Sequence, residues 1–396
     1  MINVFYIVIF ISIFTVLFSY IFYPLLVAIL AKRKQRGGAV YSQNELPKIA
    51  LVFAAYNEEK IIVQKMNNLN TIDYPSHLLD IYIGLDNPSD RTEELIHQNC
   101  ELKFKLSVQN FTERGGKSEV LNKLFSKIIQ LSDYEYIIMS DANIISKENC
   151  VFELIKYFKN PKVGVVGAVI QNVYKSNSEV GIQEKFYIKN EGQLKVNEGL
   201  VFGTSVGAFG AFYAIRSKYI KPIPKNYLME DFYLSMNALR EGAFSLSNPE
   251  AIVYEDLPGT LNEEFKRKRR ISTGNFQNLS AYFDIFFKND FRVVFPFFAH
   301  KFLRWITPIL LLIICIGVTY IFVKQPHILM HKILFILMLV NFMLPILDIA
   351  LQKLKINVNL LRLHRYFIAM NIALLLGFID WLKGVETNIW KPTERL

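Results

Sequence analysis

The chain opens on an apolar stretch, and residues 2–31 carry no charged side chain. About 20 apolar residues in a helix are enough to cross a bilayer. A secretory signal peptide would have its positive charges before the apolar region, whereas here they follow it, at Lys32, Arg33, Lys34 and Arg36. The pattern therefore predicts an uncleaved amino-terminal transmembrane anchor over residues 1–36.

The middle of the chain, residues 47–280, has short β-rich apolar runs that alternate with amphipathic stretches. Its apolar runs predict strands at residues 49–55, 81–85, 136–139 and 163–170, and its amphipathic stretches predict helices at residues 58–69 and 117–129. Alternation of strands and helices is typical of a parallel α/β sheet. This part of the chain is therefore predicted to be a soluble domain.

The carboxy-terminal part is apolar again. Residues 281–305 are aromatic but interrupted by charges, which suits an interfacial amphipathic helix. Residues 306–396 contain three apolar runs that predict further membrane spans, near residues 306–323, 333–351 and 367–382. Together with the first span, these runs predict a multi-pass protein of the cell membrane. Since Lys and Arg favour the cytoplasmic side, the basic cluster after the first span predicts that the domain 47–280 lies in the cytoplasm.

Composition and charge agree with a membrane protein. Hydrophobic residues make up 52% of the 396 residues and aromatic residues 14%, which is high for a soluble chain. Three cysteines without paired spacing give no sign of a zinc site or a disulfide framework. The net charge of +10 is concentrated beside apolar segments, so we attribute it to topology and to membrane lipids, and expect no nucleic-acid partner.

Two acidic residues follow predicted strands: Asp86 comes after residues 81–85, and Asp141 comes just after residues 136–139. In open α/β sheets ligands bind outside the carboxyl ends of the strands, so both side chains are expected to face one crevice. Aspartate is also common at turns and helix caps, which is the alternative reading of each residue alone.

A glycine pair stands before Lys117 and is followed by an amphipathic helix, an arrangement suited to an anionic phosphate. Its spacing differs from a Walker P-loop, and Gly203, Gly207 and Gly210 do not match a dinucleotide fingerprint. The sequence therefore gives no support for ATP or nicotinamide chemistry.

Glu230 and Asp231 form an acidic pair ahead of a helical pattern. They can simply favour the amino terminus of that helix. If Asp231 projects into the crevice instead, it can accept a proton from an acceptor hydroxyl, a contribution of about a hundred- to ten-thousand-fold in rate.

A strongly basic run at residues 266–270 stands before the interfacial segment. One reading is a patch that binds anionic lipids. The other is that Arg267 or Arg270 stabilises a departing nucleoside diphosphate, because guanidinium groups bind phosphate oxygens bidentately.

Taken in order over about residues 48–279, these segments resemble the family 2 glycosyltransferases, the inverting GT-A type enzymes that include cellulose, hyaluronan and poly-N-acetylglucosamine synthases. The motifs that carry the resemblance are Ala55-Tyr56-Asn57-Glu58-Glu59, Asp73-Tyr74-Pro75, Asp86 with Asp90, Gly116-Lys117 with Leu121-Asn122, Asp141-Ala142-Asn143, residues 203–216, and Glu230-Asp231. Each motif alone is weak evidence for the family, whereas the full set in this order is specific. The resemblance implies a GT-A type nucleotide-sugar-binding α/β domain with a mixed, mainly parallel sheet, plus transmembrane helices.

The resemblance also implies roles for individual residues. Asp231, with Glu230 beside it, takes the place of the catalytic base, and Asp141 with Asn143 takes that of the D-x-D metal motif, holding Mg²⁺ or Mn²⁺. The residues expected to contact a UDP-sugar are Ala55, Tyr56, Asn57, Glu58, Asp86, Lys117, Asp141, Arg267 and Arg270.

Two departures from the family pattern bear on function. Asn143 replaces the second acid of D-x-D, and its amide oxygen can ligate a cation but carries no charge. Where processive synthases have Q-x-x-R-W, this chain keeps Arg270 but has Ile271 in place of the tryptophan on which a sugar can stack. The expected activity is therefore sugar transfer from a UDP-sugar to a hydroxyl of a glycan or lipid-linked acceptor.

Two alternatives stay open at this point. One is a processive polysaccharide synthase that extrudes its polymer. The other is a non-catalytic membrane transporter or scaffold, for which Asp348 and Asp380 are the obvious ionisable residues within predicted spans.

Overall fold

The computed structural model describes residues 2–34, 38–131, 133–173, 181–208, 212–256 and 260–386. Arg36 of the basic cluster, Gly210 and the tail beyond residue 386 lie outside these ranges. The chain divides into two compact units. The sheet unit comprises Val27–Gly259, Gln277–Pro296 and Gly384–Leu396, and the membrane unit comprises Met1–Leu26, Thr260–Phe276 and Phe297–Lys383.

The sheet unit is built on one sheet, which has eight strands within the described residues. They are β1 (Ile49–Ala55), β2 (Leu79–Leu85), β3 (Lys105–Asn110), β4 (Tyr136–Ser140), β5 (Ile145–Ser146), β6 (Val163–Val173), β7 (Phe212–Arg216) and β8 (Phe244–Asp256). Their order across the sheet is β3-β2-β1-β4-β7-β6-β8-β5. Strands β1, β2 and β4 run parallel, whereas β7 is antiparallel to both of its neighbours and β5 is antiparallel to β8. The predicted mixed, mainly parallel sheet is confirmed.

Helices cover both faces of this sheet, which explains why every residue of β1, β2 and β4 is buried. The helices of the sheet unit are α3 (Ile62–Thr71), α4 (Thr92–Gln98), α5 (Lys117–Gln130), α6 (Cys150–Ile155), α7 (Gly181–Phe202) and α8 (Glu230–Arg240), with single 3₁₀ turns at Gln43–Glu45, Lys156–Lys159 and Ser217–Tyr219. One apolar cluster packs α3 and α6 on one face, and a second packs α5 and α8 on the other. The edge strand β3, by contrast, is only partly buried.

The predicted start of the first of these helices, at residue 58, is wrong, because α3 begins at Ile62. Two side chains between the end of β2 and the start of α4 bind backbone N–H groups of the residues that precede α3. Glu58 N–H donates to Thr92 Oγ1 at 2.7 Å, and Glu59 N–H donates to Asp90 Oδ2 at 3.1 Å. These two hydrogen bonds hold residues 58 and 59 in the loop after β1, and α3 therefore begins only after this loop.

Four helical runs in the described residues are long and apolar enough to cross a membrane: Ile2–Ala31, Phe291–Lys324, Leu329–Lys353 and Asn359–Lys383. The first consists of α1 (Ile2–Leu17), a π-helical turn (Phe18–Phe22) and α2 (Tyr23–Ala31). The remaining helices are α9 (Leu261–Ala281), α10 (Ile285–Lys288), α11 (Phe291–Pro296), α12 (Leu303–Lys324), α13 (Leu329–Lys353) and α14 (Asn359–Lys383).

The second run begins earlier than the sequence predicts. It starts at Phe291 instead of residue 306, so part of the segment 281–305 is continuous with a candidate span. Pro296 ends α11, and a π-helical turn over Phe297–Phe302 carries the chain into α12. Such a turn accommodates the backbone where proline interrupts regular helical hydrogen bonding.

Both acidic residues of the predicted spans have an arginine partner within the membrane unit. Arg365 Nε lies 2.9 Å from Asp348 Oδ2, and Asp380 accepts two hydrogen bonds from Arg269 of α9, at 2.5 and 2.7 Å. These pairs give each carboxylate a structural role in packing one helix against another.

Candidate active site

Asp141 lies on a tight turn directly after β4. Ile144 N–H donates to the Asp141 carbonyl at 3.2 Å, which closes a four-residue turn that includes Asn143. Ala142 and Ile144 are buried on the inner side of this turn, whereas Asp141 and Asn143 are partly exposed. The two polar residues of the predicted metal motif are thus presented together at the carboxyl end of the sheet.

Asp86, just after β2, is fully buried and binds the loop that precedes α5. Its carboxylate accepts hydrogen bonds from Gly115 N–H at 2.8 Å and Gly116 N–H at 3.1 Å, and Arg114 Nε lies 3.8 Å away. Gly116 has a φ of +79°, which a residue with a side chain adopts only under strain. The glycine pair that the sequence shows is therefore used to fold the loop around Asp86.

This loop places Lys117, the first residue of α5, between two carboxylates. Its Nζ lies 2.5 Å from Asp141 Oδ1 and 2.5 Å from Glu230 Oε1. Burial alone would lower the pKa of Lys117, but the charges of Asp141 and Glu230 raise it above its ordinary value. Lys117 is therefore a fixed positive charge at the centre of the site.

Asp231 is the neighbour of Glu230 at the amino terminus of α8. Burial and the Glu230 carboxylate raise the pKa of Asp231 to about 6, while the Phe232 N–H and Lys117 act in the opposite direction. Burial, and after it the charges of Asp231, Glu230 and Asp141, raises the pKa of Tyr213 of β7 well above its usual range. Asp141, Glu230 and Asp231 thus converge on one region.

Side chains of α5 hold the segment that leads into α8. Ser118 Oγ donates to the Tyr227 carbonyl at 3.1 Å, and Asn122 forms a pair of hydrogen bonds with the backbone of Ile223, each 2.8 Å long. Asn122, which the resemblance singled out, therefore fixes the approach to Glu230 and Asp231.

The first motif, residues 55–59, lies at the carboxyl end of β1. Asn57 has a φ of +52°, and its side-chain carbonyl accepts the Ser89 N–H at 2.8 Å. The guanidinium of Arg114 lies 3.5 Å from the centroid of the Tyr56 ring, a cation–π contact. Tyr56 thus stands next to the loop that holds Asp86.

The basic pair Arg267 and Arg270 lies on α9, in the membrane unit. Arg267 makes a bidentate contact with Glu264, at 2.8 and 3.1 Å, and Arg270 is exposed. Their assignment to the nucleotide-sugar stays a prediction.

Two side chains of this region were missed by the sequence analysis. Lys65 of α3 is buried beneath the Asp141 turn, and burial lowers its pKa to about 7, against the charge of Asp141. Tyr213 belongs to a fully buried strand. A lysine on the apolar face of a predicted helix was an available signal for Lys65, whereas nothing in the sequence distinguishes Tyr213 from a core tyrosine.

The donor set fits a hard divalent cation. Asp141 and Glu230 contact the Lys117 ammonium, and Asp231 is close enough for that charge to lower its pKa, so negative charge is in excess when all three carboxylates are ionised. Asp141 and Asn143 offer a carboxylate and an amide oxygen, the ligands that Mg²⁺ and Mn²⁺ accept. Within the described residues there is no group of three or more His, Cys, Asp or Glu placed to hold a metal, so a cation here would need further oxygen ligands, such as water or phosphate.

Two family models match this chain. The model described as glycosyl transferase family 2 matches residues 50–221, and that described as glycosyl transferase family group 2 matches residues 136–349. The chain belongs to the family 2 glycosyltransferases, as the motifs predict.

Individual relatives are similar to only part of this chain. A probable glycosyltransferase of Bacillus subtilis, YdaM, is 25% identical over 65% of this chain and 62% of its own length. A β-monoglucosyldiacylglycerol synthase of Trichormus variabilis is 30% identical over 31% of this chain and 26% of its own length. A poly-β-1,6-N-acetyl-D-glucosamine synthase of Staphylococcus aureus is 27% identical over 60% of this chain and 56% of its own length. The chain thus spans less than two thirds of each relative.

Among solved structures, a mannosyltransferase of Pyrobaculum calidifontis, in complex with GDP-Man and Mn²⁺, superposes with a TM-score of 0.68. The match covers 95% of this chain and 99% of the other at 17% identity. It supports the GT-A fold of the sheet unit together with the candidate membrane helices.

Proposed function

We propose that this protein is an inverting membrane glycosyltransferase that moves a sugar from a UDP-sugar to a hydroxyl of a glycan or lipid-linked acceptor at the cytoplasmic membrane face. The observation that carries the proposal is the convergence of Asp141, Glu230 and Asp231 around Lys117 at the carboxyl end of the sheet. The Asp231 carboxyl has a raised pKa and lies near the positive charge of Lys117. This arrangement suits abstraction of a proton by Asp231 while Lys117 binds the departing diphosphate.

In this proposal Asp231 is the general base. Its carboxylate takes the proton of the acceptor hydroxyl while the acceptor oxygen bonds to the anomeric carbon from the face opposite the nucleotide. The bond from that carbon to the diphosphate oxygen breaks, and the electron pair leaves with the nucleoside diphosphate. One substitution at carbon inverts its configuration.

The donor would lie over the loops that follow β1, β2 and β4. Residues 55–58 would bind the nucleoside next to the glycine loop that the Asp86 carboxylate holds, and the Lys117 ammonium would meet the diphosphate with Arg267 and Arg270 as further candidates. Asp141 and Asn143 would hold Mg²⁺ or Mn²⁺, which when bound neutralises charge on the leaving diphosphate. Bound Mn²⁺ in the Pyrobaculum enzyme is compatible with this assignment.

The membrane layout is part of the proposal. We assign residues 1–36 to an amino-terminal anchor, 47–280 to a cytoplasmic catalytic domain, 281–290 to an interfacial segment, and the three candidate runs that begin at Phe291, Leu329 and Asn359 to carboxy-terminal spans. The basic residues Lys32, Arg33 and Lys34 after the first run support a cytoplasmic sheet unit.

A second candidate is a processive polysaccharide synthase. The relatives named poly-β-1,6-N-acetyl-D-glucosamine synthase favour it, whereas Ile271 offers no flat face for a sugar to stack on. The relatives named β-monoglucosyldiacylglycerol synthase favour single transfer to a lipid. Analysis of product length with purified protein distinguishes polymer from single transfer.

The direct test is a donor screen with the full-length protein in detergent. Release of nucleoside diphosphate is measured with UDP-glucose, UDP-N-acetylglucosamine and GDP-mannose, each with Mn²⁺, Mg²⁺ or chelator, and with extracted membrane lipids as acceptor. We expect release from one UDP-sugar that depends on divalent metal. Release from GDP-mannose alone would contradict the UDP assignment, and no release under any condition would contradict the enzymatic function.

A further inference from the structure

Lys65 is a buried amine that the proposed chemistry does not use. It lies on the inner face of α3 with an exposed fraction of 1%, among the apolar side chains Ile62, Met66 and Leu69. Its Nζ is 5.3 Å from the ring centroid of Phe53. Burying an ammonium group is unfavourable unless specific partners compensate for the lost water.

The partners of Lys65 are the two ends of the turn that carries Asp141. Nζ donates to Ser140 Oγ at 2.8 Å, immediately before the turn, and to the Ile144 carbonyl at 2.8 Å, where the turn closes. Ser140 Oγ in turn donates to the Asp141 carbonyl at 3.2 Å. One side chain therefore fixes both ends of a segment whose middle holds the two proposed cation ligands.

The next turn of the same helix offers a comparison. Asn68 also binds the segment after β4, with Nδ2 donating to the Ser146 carbonyl at 2.8 Å and Oδ1 accepting the Ser146 N–H at 2.9 Å. A neutral amide is thus sufficient to join α3 to this segment. The lysine stands where the attached turn bears Asp141, whose negative charge favours the protonated form of the amine.

We propose that Lys65 is a positioning residue for the divalent cation, which holds the turn 140–144 so that the Asp141 and Asn143 oxygens are preorganised to ligate. The proposal rests on the proposed cation site of the glycosyltransferase. Lys65 does not touch the cation or the donor, and acts through Ser140 and Ile144. Partners that orient metal ligands in this way typically change metal affinity about 10- to 100-fold when they are removed.

The test compares Lys65→Met with Asn68→Leu in the full-length protein. Binding of Mn²⁺ alone is measured from the electron paramagnetic resonance signal of free Mn²⁺, and thermal unfolding is followed in the same samples. We expect Lys65→Met to weaken Mn²⁺ binding about 10- to 100-fold. We expect Asn68→Leu to lower the unfolding temperature while Mn²⁺ affinity stays within about twofold of wild type, because Ser146 lies beyond the turn.

A second variant covers the case in which Lys65→Met does not fold. Ser140→Ala removes one of the two acceptors and is expected to weaken Mn²⁺ binding several-fold, in the same direction. Unchanged Mn²⁺ affinity in both variants, or equal weakening in Asn68→Leu, would overturn the positioning role. If wild-type protein transfers sugar but neither binds nor needs Mn²⁺, the cation site and this inference fail together, while the transfer function stands.

Discussion

Lys117 neutralises part of an acidic cluster that would otherwise repel itself. Its ammonium lies 2.5 Å from oxygens of both Asp141 and Glu230, and its charge acts on Asp231 as well. The same positive charge therefore acts on all three carboxylates of the cluster. A phosphate group entering the site would meet that charge, and a cation would meet the excess of acids.

The raised pKa of Asp231 gives a prediction for the pH dependence of activity. A general base works in its deprotonated form, so kcat/KM should fall as the pH drops through about 6, the pKa of this carboxyl. Below that pH the loss should be about tenfold per pH unit. Steady-state kinetics with the preferred donor between pH 5 and about 8 checks this, and a rate that is flat through pH 6 would argue against Asp231 as base.

Replacing Lys117 should change the pH at which kcat/KM falls on the acid side. The Lys117 charge lowers the pKa of Asp231, so Lys117→Met should shift the acid limb of kcat/KM to higher pH and weaken binding of the donor diphosphate. Lys123→Met is the matched control, because Lys123 lies on the same helix and pairs with Glu119 at the surface, at 2.8 Å. Titration of both variants beside wild type is the measurement, and an unmoved limb in Lys117→Met would contradict the coupling.

Residues at strand ends were predictable, and residues that act through tertiary contacts were not. Asp86 and Asp141 stand where β2 and β4 end, and the structure puts them at the same edge of the sheet. The full burial of Asp86 against a glycine loop was not predictable, because it depends on the fold of residues 114–116. The position of Lys65 on the apolar face of a predicted helix was a signal of burial, but its partners Ser140 and Ile144 are distant in sequence and could not be predicted.

At the scale of elements, the membrane unit packs α9 closely against α14. A Cβ added at Gly377 would lie 2.4 Å from the Arg269 carbonyl and 2.5 Å from Ser272 Cβ. Thr273 Oγ1 donates to the Gly377 carbonyl at 3.1 Å. Close approach of two helix backbones at a glycine is a common packing mode between membrane helices.

Gly377→Val should therefore destabilise this contact. Because the new side chain meets backbone that cannot move aside, the expected loss of stability is about 1–3 kcal/mol, seen as a lower unfolding temperature in detergent. Ile379→Val, at an exposed position of the same helix, is the control and should leave that temperature nearly unchanged. Equal stability of the two variants would contradict the close packing of α9 on α14.

Elements whose ends are fixed locally were predicted well, and others were not. β1 matches its predicted range because a buried central strand reads as an uninterrupted apolar run. The start of α3 was wrong because Asp90 and Thr92 bind the backbone of residues that also suit a helix. The start of the second span was placed too late because the charged residues within 281–305 suggested an interfacial helix.

At the scale of the whole molecule, the side of the membrane on which the sheet unit lies can be tested with a native cysteine. Cys100 lies in the sheet unit and is exposed, whereas Cys150 is buried. If the sheet unit is cytoplasmic, a membrane-impermeant maleimide should label the protein only after cells are permeabilised, and Cys100→Ser should remove that signal. Labelling of Cys100 in intact cells would reverse the proposed topology.

The architecture of the chain could be predicted because hydropathy separates the apolar runs that are long enough to span a membrane from the α/β domain. The four apolar runs and the sheet are both present, in the predicted order. The acceptor could not be predicted, since pocket contacts and not fold decide specificity.

The most direct test of the account is Asp231→Asn, which keeps the shape of the side chain but removes the base. Donor binding by calorimetry and sugar transfer are measured on the same preparation. We expect transfer to fall about a hundred- to ten-thousand-fold while the donor Kd stays close to wild type. Near-normal transfer, or loss of donor binding together with transfer, would contradict the role of Asp231 as catalytic base.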